Sequence, residues 1–233
     1  MAKFILKRIL YMLVVLFCVV TLTFFLVHSI PGDPITSMVQ DLPMETRDLY
    51  LQKYGFDQPL IVQYVKFIQQ LLTGDLGQSL RYPGRQVVDI VANYAPVSGI
   101  IGGIALAIGF AVGILLGIIA ALNRNRWPDR LVMVLALLGT TIPTFVFAAV
   151  LQYVFTVSIP LFPTTGWGTW GHLVLPVACM CVGPLASYAR YMRSSVLDIT
   201  NQDFILTAEA KGVSSFRIVS RHIFRNSFLP CIT

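Results

Sequence analysis

Few residues in this 233-residue chain have the types and spacing that chemistry uses. Cys179 and Cys181 form a C-x-C, but no second Cys or His pair lies nearby to complete a tetrahedral metal site. With Cys18 and Cys231 they fall in apolar stretches and read as small apolar fillers of helices. Gly74-Asp-Leu-Gly77-Gln-Ser79 is glycine-rich but lacks the lysine that a phosphate-cradling P-loop needs. Neither H-E-x-x-H nor G-x-S-x-G occurs, so no metalloprotease or serine-hydrolase chemistry is written here. His28 stands alone at the end of an apolar run and reads as an interfacial residue rather than a proton relay. The expectation is a protein that is not an enzyme and carries no cofactor and no metal.

The elements around these residues are apolar. Hydrophobic residues make up 56% of the chain and charged residues 12%, against about 25% charged in an average soluble domain. Disordered chains and ordinary soluble enzymes are excluded, and an all-α polytopic bundle of membrane helices is expected. The net charge of +6 implies no nucleic acid, because basic excess in a membrane protein collects in cytoplasmic loops.

A crossing needs about 20 apolar residues at 1.5 Å rise each. Four segments without Asp, Glu, Lys or Arg meet or approach that length: Ile9 to Ile30, Pro96 to Leu122, Leu131 to Ile159 and His172 to Ala189. The first follows Lys3, Lys7 and Arg8, yet it is too long for a signal-peptide core and no A-x-A-like site follows it, so it reads as an uncleaved span. Basic excess alternates along the chain. The N-terminal stub has three basic residues and no acid; Pro31 to Ala95 has five basic and seven acidic. Asn123 to Arg130 has three basic and one acidic, Pro160 to Gly171 has neither, and the tail from Arg190 has six basic and three acidic. The positive-inside rule then places both ends in the cytoplasm, with four crossings between them. Trp127, Trp167 and Trp170 fall in the short loops, where interfacial aromatic belts sit.

Pro31 to Ala95 is too long for a connector and is expected to hold helices of its own. Asp57-Gln58-Pro59 has the form of a cap and an early proline, Leu60 to Leu72 repeats apolar residues at helical spacing, and Gly74 stands where a helix-ending glycine belongs. This amphipathic helix either packs on the protein's membrane face or binds a partner. In the second span Ala105, Gly109, Gly113, Gly117 and Ala121 recur every four residues, which lets another helix approach backbone to backbone. Pro143, Pro176 and Pro184 weaken helix hydrogen bonding within the third and fourth spans. The span interiors carry no carboxylate of the kind that proton-driven carriers keep as relays, so transport would draw its energy from elsewhere.

The tail from Arg190 to Arg225 is long for a turn. Thr207-Ala208-Glu209-Ala210-Lys211-Gly212 favours a short helix ended by its glycine. A second helix is expected from Ser214 through Phe216, Val219 and Ile223. Two readings stand: a basic element lying on anionic membrane lipid, or a docking element for a cytoplasmic partner.

Asp203 to Gly212, followed by Arg221-His-Ile-Phe-Arg-Asn-Ser-Phe-Leu-Pro230, resembles the coupling loop of ABC importer permeases, most closely the dipeptide, oligopeptide and nickel branch. The resemblance runs the whole chain. It includes Pro31-Gly-Asp-Pro34, Tyr54-Gly-Phe-Asp-Gln-Pro-Leu60, Gly74-Asp-Leu-Gly-Gln-Ser79, Asp129 and Ile142-Pro-Thr-Phe145. It implies a permease subunit of an ATP-driven importer for peptides or a related solute. It also implies a second permease subunit, two cytoplasmic ATP-binding subunits and an extracellular solute-binding protein as partners, in the cell membrane of a prokaryote. Thr207 to Gly212 would be the segment that meets an ATPase. The peptide branch usually has a basic residue where this chain has Leu206, and often another where it has Glu209. The implied organisation is 1–30 for the stub and first span, 31–95 for an extracellular helical region, 96–189 for spans two to four, 190–225 for the cytoplasmic coupling loop and 226–233 for the start of a fifth span. The family core has six spans, so the chain is expected to be a fragment or a truncated gene product. The rivals are a non-transporting membrane scaffold and a secondary transporter.

Overall fold

The computed structural model describes residues 2–30, 58–79, 82, 84–214 and 217–232. Asp57 and Phe216, named above in helix starts, the Pro31-Gly-Asp-Pro34 motif and the 31–57 part of the expected extracellular region lie outside them. The described residues are helical apart from turns and a single bridge between Gln78 and Gln86. The elements are α1 (Ala2–His28), α2 (Leu60–Leu72), α3 (Val87–Leu122), α4 (Trp127–Thr141), α5 (Thr144–Gln152), α6 (Trp170–Thr200), α7 (Asp203–Ala210) and α8 (Phe224–Ile232). A π-helical turn, Tyr153–Ser158, continues α5, and another, Ile218–Ile223, precedes α8. Helices dominate because apolar backbone in lipid has to satisfy its own hydrogen bonds.

The chain divides into two compact units, 1–94 and 95–233. In the first, Phe24 of α1 is buried beside Tyr64 and Phe67 of α2, each ring 5.3 Å away. The hydroxyls of Thr21 and Tyr64 share a hydrogen bond of 2.7 Å. The expected amphipathic helix is therefore present and its aromatic face lies on α1. Pro59 occupies its N-cap. Gly74, at φ +81°, closes it with paired bonds: Gly74 N–H to Leu71 O and Asp75 N–H to Gln70 O. His28 donates from Nδ1 to the Phe24 carbonyl at 2.8 Å and stacks on that ring.

In the second unit, α3, α4 and α6 pack lengthwise. Three helices, α1, α3 and α6, are each long and apolar enough to cross a membrane, and α4 with α5 and its π turn counts as a fourth if its two arms make one crossing. Those arms meet at 98°. The third apolar segment, Leu131 to Ile159, is broken at Ile142-Pro143, where the sequence places a helix-weakening proline. Pro143 has no N–H to donate, and it forces Ile142 into extended backbone. The hydroxyls of Thr140 and Thr141 bond back to the Ala136 and Leu137 carbonyls, a local side-chain pattern that bends helices. Pro176 and Pro184, by contrast, lie inside an unbroken α6. Two helices outrun the charge-free segments: α3 starts at Val87 rather than Pro96, and α6 runs past Ala189 to Thr200.

Candidate coupling site

α7 starts after Gln202 in extended backbone, with Asp203 in the first turn, where a carboxylate suits the positive helix end. Thr207 donates its hydroxyl to the Asp203 carbonyl at 2.9 Å. The helix ends at Ala210, Lys211 caps it, and Gly212 turns into the left-handed region at φ +72°. Gly212 N–H bonds Glu209 O at 2.9 Å and Val213 N–H bonds Ala208 O at 3.1 Å. That bond pair is a Schellman closure, and Val213 packs on the same cluster as Ala208, adding the apolar contact that accompanies such ends.

The faces of α7 differ. Ile205 and Ala208 are buried with Ile114 and Ala121 of α3, Met192 and Val196 of α6, and Ile218 and Ile223 of the second π turn. The rest of the helix surface is open: Phe204 is 42% and Leu206 58% exposed. Thr207, Glu209, Ala210, Lys211 and Gly212 are exposed as well, so Ala208 alone of the six candidate residues turns inward. Burial of Ile205 and Ala208 anchors a helix of eight residues that would not hold in isolation.

The platform beneath is α3 on α6. A Cβ at Gly109 would meet Cys181 O at 2.8 Å, one at Gly113 would meet Leu185 O at 2.7 Å, and one at Gly117 would meet Ala189 O at 2.6 Å. These contacts advance together along both chains, so α3 and α6 run in the same direction. α4 runs opposite to α6: Gly139 lies against Val182 while Asp129 reaches Arg193. Both Asp129 oxygens are engaged by Arg193, with Nη2 donating to Oδ2 at 2.7 Å, and the Asn125 N–H also donates to Oδ2 at 2.9 Å. α8 folds back on α6, where Ser195 donates to the Ser227 carbonyl at 3.0 Å, and Phe228 meets Phe110 of α3. The C-x-C thiols face separate carbonyls, Cys179 that of Thr144 and Cys181 that of Ala178.

Arg193 is the residue that reading the sequence missed. Asp129 stood out as part of a motif, but its partner lies 64 positions away and no spacing rule joins them. The available signal was an acid in the first turn of a helix, and an arginine on the continuation of a membrane helix, each needing a partner.

The described residues thus form a bundle of membrane-length helices with the short helix α7 seated on α3 and α6. Residues 113–233 match the family of binding-protein-dependent transport system inner membrane components, and residues 1–83 match the N-terminal membrane component of such systems. Over 100% of its length the chain is 39% identical to the dipeptide transport system permease protein DppB of Bacillus subtilis, covering 75% of that protein. It is 40% identical to the oligopeptide transport system permease protein OppB of Haemophilus influenzae, and 36% to OppB of Escherichia coli K12, covering 76% of each and again 100% of this chain. The chain belongs to the binding-protein-dependent transport system inner membrane components, as a multi-pass transmembrane permease subunit.

Proposed function

We propose that this permease subunit forms part of the path by which peptides enter a prokaryotic cell. The peptide assignment rests on the names of the dipeptide and oligopeptide permeases to which the chain is similar. Its partners are a second permease subunit, two cytoplasmic ATP-binding subunits and an extracellular binding protein that delivers the solute. It makes and breaks no covalent bond; the ATP-binding subunits supply the energy.

One observation carries the coupling role: α7 is anchored by Ile205 and Ala208 while Phe204 and Leu206 stay open to solvent. Apolar residues on a helix held out from a bundle suit a protein groove better than water. In this reading α7 enters a groove on an ATP-binding subunit, and its displacement tilts the helices that grip it. Leu206, where the peptide branch usually has a basic residue, makes that contact more apolar here.

The experiment is uptake of labelled dipeptides and tripeptides into vesicles holding the permease with its three kinds of partner. ATP-dependent accumulation is expected, and its absence from an assembled complex refutes the transport reading. The docking role is tested with Ala210→Trp against the triple change of Arg217, Arg221 and Arg225 to Gln. The tryptophan should weaken ATPase co-purification about tenfold or more, as bulk at an interface centre does. Should only the arginine variant lose the ATPase, the element lies on lipid instead.

A further inference from the structure

Residues 189 to 196 of α6 hold three other helices at once, and through one of them a turn. On one side Ala189, Met192 and the Arg193 backbone press on Gly117, where a Cβ would meet Met192 Cβ at 2.7 Å and Arg193 N at 3.1 Å. On another, the Arg193 guanidinium grips Asp129 in the first turn of α4. The same carboxylate takes the N–H of Asn125, which adopts φ +64°, and so fastens the turn joining α3 to α4. Met192 and Val196 bear Ile205 and Ala208 of α7.

We propose that Asp129 and Arg193 are positioning residues for coupling, an inference that rests on the role given to α7 above. They clamp α4 to α6, so that a displacement of α7 moves α3, α4 and α6 as one body. The Asp129 side chain is only 4% exposed and that of Arg193 26%. Burying such a pair contributes little stability, because lost hydration cancels most of the attraction. Its contribution is geometric: two parallel bonds from a planar fork fix the angle between the helices in a way that lysine cannot. The Asn125 bond extends the clamp to the turn between α3 and α4.

The test uses the assembled transporter in vesicles. The permease carries Asp129→Asn, Arg193→Lys, or Asp129→Asn together with Arg193→Gln. Three quantities are read: co-purification of all subunits, basal ATP hydrolysis, and its stimulation by loaded binding protein. Co-purification and basal hydrolysis should hold, while stimulation falls about tenfold in both Asp129→Asn and Arg193→Lys, within the usual range of coupling between sites. The double variant separates geometry from charge. It removes the unpaired charge left by a single change and keeps neutral hydrogen-bonding groups, so a purely structural pair would recover in it. Stimulation that stays low in the double variant supports the inference. Recovery there, full stimulation in Asp129→Asn, or loss of co-purification in the single variants overturns it. A wild-type complex without stimulation refutes the transport reading itself, whereas a working wild type with an unaffected Asp129→Asn refutes only the clamp.

Discussion

Gly212 sets the direction in which the chain leaves α7. At φ +72° it occupies a region that a branched side chain enters at a cost of about 1–2 kcal/mol. Nothing lies within 4 Å of where its Cβ would be, so the cost of a substitution is conformational rather than steric. Gly212→Val is therefore expected to fray the Schellman end and raise protease cleavage between Ala210 and Ser214, with permease abundance in the membrane unchanged. Unaltered cleavage would mean that the end tolerates a β-branched residue. This glycine was legible in the sequence because it follows Ala208-Glu-Ala-Lys211 and helix chemistry is local. The inward turn of Ala208 was not, because residues 114, 121, 192 and 205 decide it and they come from three helices.

Among the helices, the seam of Gly109, Gly113 and Gly117 has no spare space. A methyl group at Gly117 would stand 2.6 Å from the Ala189 carbonyl and 2.7 Å from Met192 Cβ, both backbone-near atoms that cannot rotate away. Gly117→Ala should destabilise the bundle by about 1–3 kcal/mol, as overpacking does. The measure is thermal aggregation of the detergent-solubilised permease, with Gly103→Ala, which meets nothing within 4 Å, as the control. Equal behaviour of the two would dismiss the seam as a determinant of stability. The period of four was visible in sequence, but not the partner helix. Prolines were visible too, but not their effects. Pro143 ends its helix, with the hydroxyls of Thr140 and Thr141 bonding back to the Ala136 and Leu137 carbonyls, while Pro184 stays helical where its Cβ lies against Gly109. Counting charge-free residues ended the fourth span at Ala189 only because Arg190 follows; helix propensity continues to Thr200.

At the scale of the whole chain, the charge pattern sets an orientation that relative helix directions leave open. α3 and α6 are parallel and α4 is antiparallel to both, as successive crossings require. With the native cysteines replaced, single cysteines at Asp48, Asn125 and Ser214 should react with an impermeant thiol reagent on whole cells only at position 48. Labelling at 214 with protection at 48 would invert the orientation. The α3–α6 seam also has an ambiguity. Residues 109, 113 and 117 meet the carbonyls of 181, 185 and 189, so each contact resembles the next. Sliding one helix by four residues, about 6 Å, would offer nearly the same glycine-on-carbonyl ladder. The fork of Arg193 on Asp129 has no copy at the four-residue repeat, where α6 offers Ala189 and Leu197. Since residues 123–126 tie α4 closely to α3, a slipped bundle would strand both charges and forfeit several kcal/mol. The ion pair thus serves as a gauge mark: glycines choose which faces meet, and one charge pair chooses the register.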